Sequence, residues 1–300
     1  MNILRVKSIS EMHKILGLEP PKHPLITSFY WNDISIPKQQ DTNMQVSFDF
    51  YMISQKTLTG GAVKYGRNHY DFSEGVLMFM APGQVFGHDN NEEPEADGWA
   101  LFFHPDLIRK TPLGNKMSAY TFFSYDVHEA LHLSEDEKNT ITGIVGQIEV
   151  EYSKNIDVYT QDLIVSQLEV LLKYASRFYG RQFITRTNHN SDLVSRFESD
   201  INKFFDSENP KELRLPTVKE CAENLGMSPD YLSDMLKQET GKNAQEYIHY
   251  VLIDKAKTLL LGTSHSVSEI AYTLGFEYPQ YFSKLFKKKT GMTPVEFRNN

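Results

Sequence analysis

Two stretches of the C-terminal third repeat one pattern. Thr217 to Gly241 reads TVKECAENLGMSPDYLSDMLKQETG, and Ser266 to Gly291 reads SVSEIAYTLGFEYPQYFSKLFKKKTG. The offset is 49 residues up to Met227 and Phe276, and 50 from Ser228 and Tyr278 onward. The second copy therefore carries one additional residue, Glu277, in its turn. A repeat constrains a chain more than composition does, because each copy must be one supersecondary unit folded the same way.

The aligned positions predict what that unit is. Thr217 with Glu220, and Ser266 with Glu269, are S/T-x-x-E capping boxes: the hydroxyl accepts from the amide three residues on, and the glutamate reaches back. Val218, Ala222 and Leu225 recur at i, i+4 and i+7, as do Val267, Ala271 and Leu274, giving each helix one apolar face. Gly226 and Gly275 stand where a left-handed residue stops a helix. Pro229 and Pro279 stand where a proline opens the next one. The second helices bury Leu232 with Leu236, and Phe282 with Phe286, before Thr240–Gly241 and Thr290–Gly291 close them. Helix, glycine turn and helix around a shared core is a helix-turn-helix. A solenoid of packing hairpins needs about three copies or more, whereas only 217–241 and 266–291 repeat here.

Burial leaves a stripe on each second helix. It comprises Asp230, Ser233, Asp234 and Lys237 in the first copy, and Gln280, Ser283, Lys284 and Lys287 in the second. Glutamine pairs bidentately with adenine N6/N7 and lysine reaches guanine O6/N7, so the second stripe suits a DNA major groove. Lys288 and Lys289 flank it as phosphate contacts, which position without specifying sequence. Asp230 and Asp234 can accept from cytosine N4, but two carboxylates near phosphates weaken binding. The second copy is therefore expected to carry more of the affinity. Between the copies Ile248, Val251, Leu252, Ala256, Leu259 and Leu260 follow the helical period. They predict a linking helix of about 16 residues, roughly 24 Å long. Two helices in successive major grooves lie about 34 Å apart, so the length is of the right order.

The run from Ile270 to Arg298, IAYTLGFEYPQYFSKLFKKKTGMTPVEFR, resembles the C-terminal signature of the AraC/XylS family of bacterial transcription regulators. That signature is I-A-x-x-x-G-F, then Y-F-S-x-x-F-K-K, then G-x-T-P-x-x-[YF]-R. The resemblance extends over residues 191–300 and implies a seven-helix domain whose two motifs bind asymmetric promoter sites. It implies that Asp230, Ser233 and Asp234 face the groove from the first recognition helix, and Pro279, Gln280, Ser283 and Lys284 from the second. Asp234 departs from the pattern, since members often carry a basic or amide residue there.

Earlier in the chain the period changes. Val46, Phe48, Phe50 and Met52 alternate with polar or half-polar neighbours, the pattern of a half-buried strand. Gly75 to Phe86 and Gly98 to Ile108 read as further strands ending at Pro82–Gly83 and Pro105. Several short strands in succession predict an antiparallel sandwich or barrel. The family resemblance implies a small cupin-like barrel that binds an effector. Trp31, Tyr51, Phe79, Phe86 and Trp99 are candidate walls of its pocket, since ligand sites favour aromatic linings; core packing explains the same residues. Ser134 opens a helical stretch, and Ile164, Leu168, Leu171, Leu172, Ala175, Phe178 and Tyr179 mark an amphipathic helix over 158–179. Its stripe either packs on the barrel or pairs with a second copy, as the family resemblance implies for helices here.

The chain is acidic, with 31 Lys+Arg against 39 Asp+Glu and a net charge of −8. Residues 1–190 hold 17 against 23, and residues 191–300 hold 14 against 16. Neither half is basic, so a nucleic-acid contact must come from a local patch, which Lys284, Lys287, Lys288 and Lys289 supply. One cysteine excludes an intramolecular disulfide and a Cys-based zinc site. The longest apolar run is Val76 to Ala81, far below the roughly 20 residues that span a bilayer. The start, MNILRVKSISEMHKILGLEP, has no secretory h-region. A cytoplasmic chain without membrane contact is expected.

His69, His88 and His104 form no H-x-H pair, so neither a metal nor another cofactor is expected. No G-x-S-x-G, P-loop, H-E-x-x-H or nucleotide-type glycine fingerprint is present. Cys221 aligns with Ile270 on a buried helix face. No catalytic residue and no enzyme are therefore expected. The expected architecture is an α+β multidomain chain. Residues 1–180 form an antiparallel, cupin-like β-barrel with helices, for effector sensing and dimerisation. Residues 181–190 link it to 191–300, an all-α domain of two helix-turn-helix motifs joined by a linking helix. The expected function is effector-responsive, sequence-specific transcription regulation, as an activator. Its partners would be double-stranded promoter DNA, RNA polymerase, a small-molecule effector and a second copy of the chain. The rivals are a metal-dependent cupin enzyme with an accessory helical domain, and a helix-turn-helix module that binds protein.

Overall fold

The computed structural model describes residues 3–34, 45–58, 63–65, 68–70, 75–87, 96–205 and 214–299. They fall into two units, Met1–Gln182 and Phe183–Asn300. The first begins with β1 (Ile3–Val6), α1 (Ile9–Leu16), β2 (Ile26–Tyr30), β3 (Gln45–Phe48) and β4 (Tyr51–Leu58). It continues through β5 (Val63–Tyr65), β6 (Asn68–Tyr70), β7 (Val76–Met80), β8 (Val85–Gly87) and β9 (Ala96–Phe103). After the short helices α2 (Pro105–Ile108) and α3 (Pro112–Lys116) come β10 (Leu131–His132), α4 (Glu135–Tyr152) and α5 (Thr160–Thr185).

A closed antiparallel barrel is not what these strands make. Among the described residues they form a five-stranded sheet in the order β10-β7-β4-β9-β2, a three-stranded sheet β1-β3-β8, and the pair β5-β6. The five-stranded sheet is antiparallel throughout, but β1 and β3 run parallel. Its two edges explain the open form. One is β10, a strand of two residues, and the other, β2, runs into a 3-10 turn at Trp31–Asp33. Neither edge pairs with the three-stranded sheet.

The alternating run Val46 to Met52 is two strands rather than one, with Asp49 and Phe50 between β3 and β4. The alternation survives the break because all its apolar members enter one core. Phe50 and Met52 are buried there with Phe29, Phe102 and Ile9, while Val46 and Phe48 pack against them. The opposite face of the five-stranded sheet meets the helices. Trp99 donates from Nε1 to Thr142 Oγ1 of α4 at 3.1 Å, and Ser28 N donates to Tyr152 Oη at 3.0 Å. On α5 the stripe Ile164, Leu168, Leu171, Leu172, Ala175, Phe178 and Tyr179 is buried.

Residues 181–190, expected as a linker, are helical except around Arg186: α5 runs to Thr185 and α6 (Thr187–Phe205) follows. The boundary between the units falls inside α5. The second unit continues with α7 (Val218–Leu225), α8 (Pro229–Thr240), α9 (Ala244–Gly262), α10 (Val267–Thr273), α11 (Pro279–Thr290) and α12 (Pro294–Asn299). The linking helix α9 has 19 residues, about 28 Å at 1.5 Å per residue. Helices α6, α8, α10 and α12 all pack on it, through Ile248, Leu252, Ala256 and Leu260. Leu193, Phe197 and Ile201 of α6 are buried in the same core.

Candidate nucleic-acid interface

Each motif is built from its caps inward. In the first, Glu220 N donates to Thr217 Oγ1 at 3.2 Å and Thr217 N donates back to Glu220 Oε2 at 2.9 Å. Arg214 then grips the same carboxylate with both terminal nitrogens, one at 2.9 Å from Oε2 and the other on Oε1. The guanidinium, with help from Thr217, pulls the Glu220 carboxyl down to about 2. Helix α7 stops at Gly226, whose φ is +69°, a conformation that glycine adopts without steric cost. Ser228 caps α8, accepting from Tyr231 N at 3.3 Å, and Pro229 takes the first helical position.

The second motif repeats this frame. Glu269 N donates to Ser266 Oγ at 3.2 Å and Ser266 N to Glu269 Oε2 at 2.7 Å. Gly275 turns the chain at φ +82° and Pro279 opens α11. Tyr278, at the cap of α11, gives no side-chain capping bond, unlike Ser228. Both motifs bury their predicted core: Leu232 and Leu236 in one, Phe282 and Phe286 in the other, all at 0 % exposure. Cys221 is buried with them, and burial, with Asp200 and Glu220 nearby, pushes its thiol up to about 11. That suits a packing thiol, not a nucleophile.

What remains outside differs between the copies. On α8, Asp230, Ser233 and Asp234 are half-buried and Lys237 is exposed. On α11, Gln280, Lys284, Lys287 and Lys288 are exposed, while Pro279 and Ser283 are half-buried. Ser283 spends its proton on the Pro279 carbonyl, 3.1 Å away, so its oxygen is left as an acceptor. Burial, and then Lys289 and Lys288, hold the His249 imidazole of α9 below its ordinary range. Lys287, Lys288 and Lys289 lie in the last turn of α11. Cations gathered over the last turn of α11 also complement that helix's negative end.

Three exposed tyrosines escaped sequence reasoning. Tyr272, Tyr278 and Tyr281 are 54, 47 and 60 % exposed, and the rings of Tyr278 and Tyr281 meet edge to face at 5.8 Å. The signal was present: Tyr281 falls outside the Phe282–Phe286 stripe, so the period that buries those two turns it outward.

In the first unit the candidate pocket residues divide between the faces of the sheet. Tyr51 and Phe79 both abut Phe123, at 5.0 and 5.4 Å between ring centres, and Trp99 shares their face over α4. Trp31 lies on the other face, donating to Ser54 Oγ at 3.2 Å with Lys56 Nζ 4.5 Å over its ring. Phe86 is in β8, but its side chain lies outside the described residues, as do the side chain of His69 and all of His88. His104 caps α2, accepting from Asp106 N at 3.2 Å. Among the described residues one trio, Asp126, His128 and Glu129, brings potential metal-ligand atoms within 4.8 Å of one another. Buried Glu129 already accepts there from Asp126 N at 2.7 Å. No described helix is long and apolar enough to cross a membrane.

A family profile described as a helix-turn-helix domain matches residues 221–300. Over 76 residues the chain is 49 % identical to the uncharacterized transcriptional regulatory protein YesN of Bacillus subtilis (strain 168), covering 25 % of this chain and 21 % of YesN. Over 138 residues it is 28 % identical to the HTH-type transcriptional activator RhaR of Yersinia pseudotuberculosis serotype O:3 (strain YPIII), covering 46 % of this chain and 44 % of RhaR. Thus the chain spans less than half the length of these curated relatives. Among solved structures, the C-terminal domain of AraT, a response regulator from Geobacillus stearothermophilus, is 35 % identical with a TM-score of 0.32, covering 36 % of this chain and 84 % of that one. With both capped motifs inside or overlapping the matched segment, the C-terminal domain of this chain is a helix-turn-helix domain of the AraC type.

Proposed function

We propose that the chain is a sequence-specific transcription regulator that reads double-stranded promoter DNA with its second unit and responds to a small molecule through its first. The observation that carries this reading is the exposure of Gln280 and Lys284 on α11, above a sealed Phe282–Phe286 core. These side chains offer the paired donors and acceptor that adenine and guanine edges require. Lys287 and Lys288 sit on the same exposed surface and neutralise phosphates. In the first motif, Lys237 approaches the backbone while Asp230, Ser233 and Asp234 select weakly.

Activation is the sign of regulation we favour, since RhaR is named an activator, and it brings RNA polymerase in as a partner. The sheet-rich unit, cupin-like in the sense the sequence resemblance implies, is the effector domain. Its pocket involves the Trp31 face or the Tyr51–Phe79–Trp99 face of the five-stranded sheet. Work in the cytoplasm, without catalysis or a cofactor, completes the reading. A second copy would be sought at the outward residues Val150, Leu163 and Val170. Selection of bound fragments from genomic DNA, with and without candidate metabolites, tests the proposal. Gel shifts with Gln280→Ala and Lys284→Ala then test the contacts: loss of sequence preference is expected, and full preference retained in both variants overturns the assignment of α11.

A further inference from the structure

The turns of the two motifs have different surroundings. A Cβ added at Gly226 would meet nothing within 4 Å, whereas one at Gly275 would lie 2.7 Å from both the Cα and the carbonyl carbon of Arg214. Real Cβ atoms do not approach backbone that closely, so the main chain at Arg214 is seated directly on the turn of the second motif. The side chain of the same residue points its effect the other way, to the capping-box carboxylate of the first motif. Pro216, buried two residues on, stiffens the strap that runs from there into α7.

We infer that Arg214 is a positioning residue that couples the two motifs: its main chain holds the turn before α11, and its guanidinium holds the start of α7. The strap thereby sets which separation of half-sites on one duplex the protein accepts, a role that rests on the DNA-reading proposal. Direct base contact is not part of it. The Arg214 and Glu220 side chains are 55 and 30 % exposed, and ion pairs exposed to that degree add little to folding stability. Their effect is expected in geometry. A bidentate guanidinium–carboxylate pair fixes direction as well as distance, and half-site spacing is a geometric property of a two-motif reader.

Two measurements on the full chain test this. In the first, spin labels at Asn224→Cys in α7 and Ser268→Cys in α10, both exposed positions, report the distance between the motifs. Arg214→Ala is expected to at least double the width of that distance distribution. Glu220→Gln, which keeps a capping-box residue but loses the ion pair, is expected to do the same, and Arg214→Lys to narrow it part of the way back. Unchanged widths in both Arg214→Ala and Glu220→Gln overturn the coupling. The second measurement uses fragments selected by the unmodified chain, with one base pair inserted between half-sites. The unmodified chain is expected to lose about tenfold in affinity, and Arg214→Ala about twofold, with each half-site still distinguished from scrambled sequence. An equal penalty in both proteins overturns the spacing role. If the unmodified chain binds no duplex, the DNA reading and the spacing role fall together, while the label distances still decide the coupling.

Discussion

The two motifs share a frame and differ in what they present. Both have a capping box, a left-handed glycine at the turn, a proline at the start of the second helix and a pair of fully buried apolar side chains below it. Yet the outward stripe of α8 reads Asp, Ser, Asp, Lys, and that of α11 reads Gln, Ser, Lys, Lys with two more lysines following. One bears a net negative charge and the other a positive one. Caps and core positions answer to the fold, whereas outward positions are free to answer to a partner. A duplicated scaffold can therefore keep its shape while its copies divide the labour.

The sharpest way to break the comparison is at the turns. Gly226→Ala adds only the strain of a left-handed alanine, about 1–2 kcal/mol. Gly275→Ala adds that strain and drives a methyl into the Arg214 main chain, for a loss of about 2–5 kcal/mol once overpacking is included. Denaturant unfolding followed by helical circular dichroism measures both, and equal losses would mean that the strap yields freely.

A smaller effect is expected at the outward faces. Lys284→Ala should weaken binding to the selected DNA by about 1–3 kcal/mol, a loss of specific base recognition. Asp234→Ala should leave affinity unchanged or raise it, because a carboxylate beside phosphates is removed. Titrations at one fixed salt concentration compare them, and a larger loss for Asp234→Ala would transfer the principal reading role to the first motif.

Acid gives the mildest contrast. Glu220 titrates at about 2 instead of about 4.5, so in the folded chain it resists protonation. The stability this represents is present above pH 4.5 and is lost as pH falls from there toward 2. Glu269 is also lowered, by the Ser266 amide and hydroxyl, but no arginine among the described residues grips it. Replacing Glu220 by Gln should flatten the acid limb of the stability curve more than replacing Glu269 by Gln. Unfolding midpoints across that pH range measure the difference.

Much of the second unit was legible because its signals are local. A capping box, a turn glycine and an N-terminal proline act within a few residues, so Thr217, Gly226 and Pro229 identify their own roles. The contact between Gly275 and Arg214 was not legible, since it spans 61 residues of sequence and leaves no periodic trace. In the first unit the alternation of Phe48, Phe50 and Met52 revealed which side chains share a core, but not that the chain changes sheets at Asp49. Period 2 specifies a face; partner strands are chosen by distant residues. The aromatic candidates show the same limit, because Trp31 and Tyr51 are equally apolar in sequence and lie on opposite faces of one sheet.

Cys221 has a practical corollary. It is the chain's sole sulfhydryl, walled into α7 and retaining its proton until about pH 11. Maleimides and disulfide reagents, which attack through the thiolate, will pass it by at neutral pH. Any cysteine introduced on the surface will be modified alone, so the native protein already serves as its own unreactive background for probe attachment.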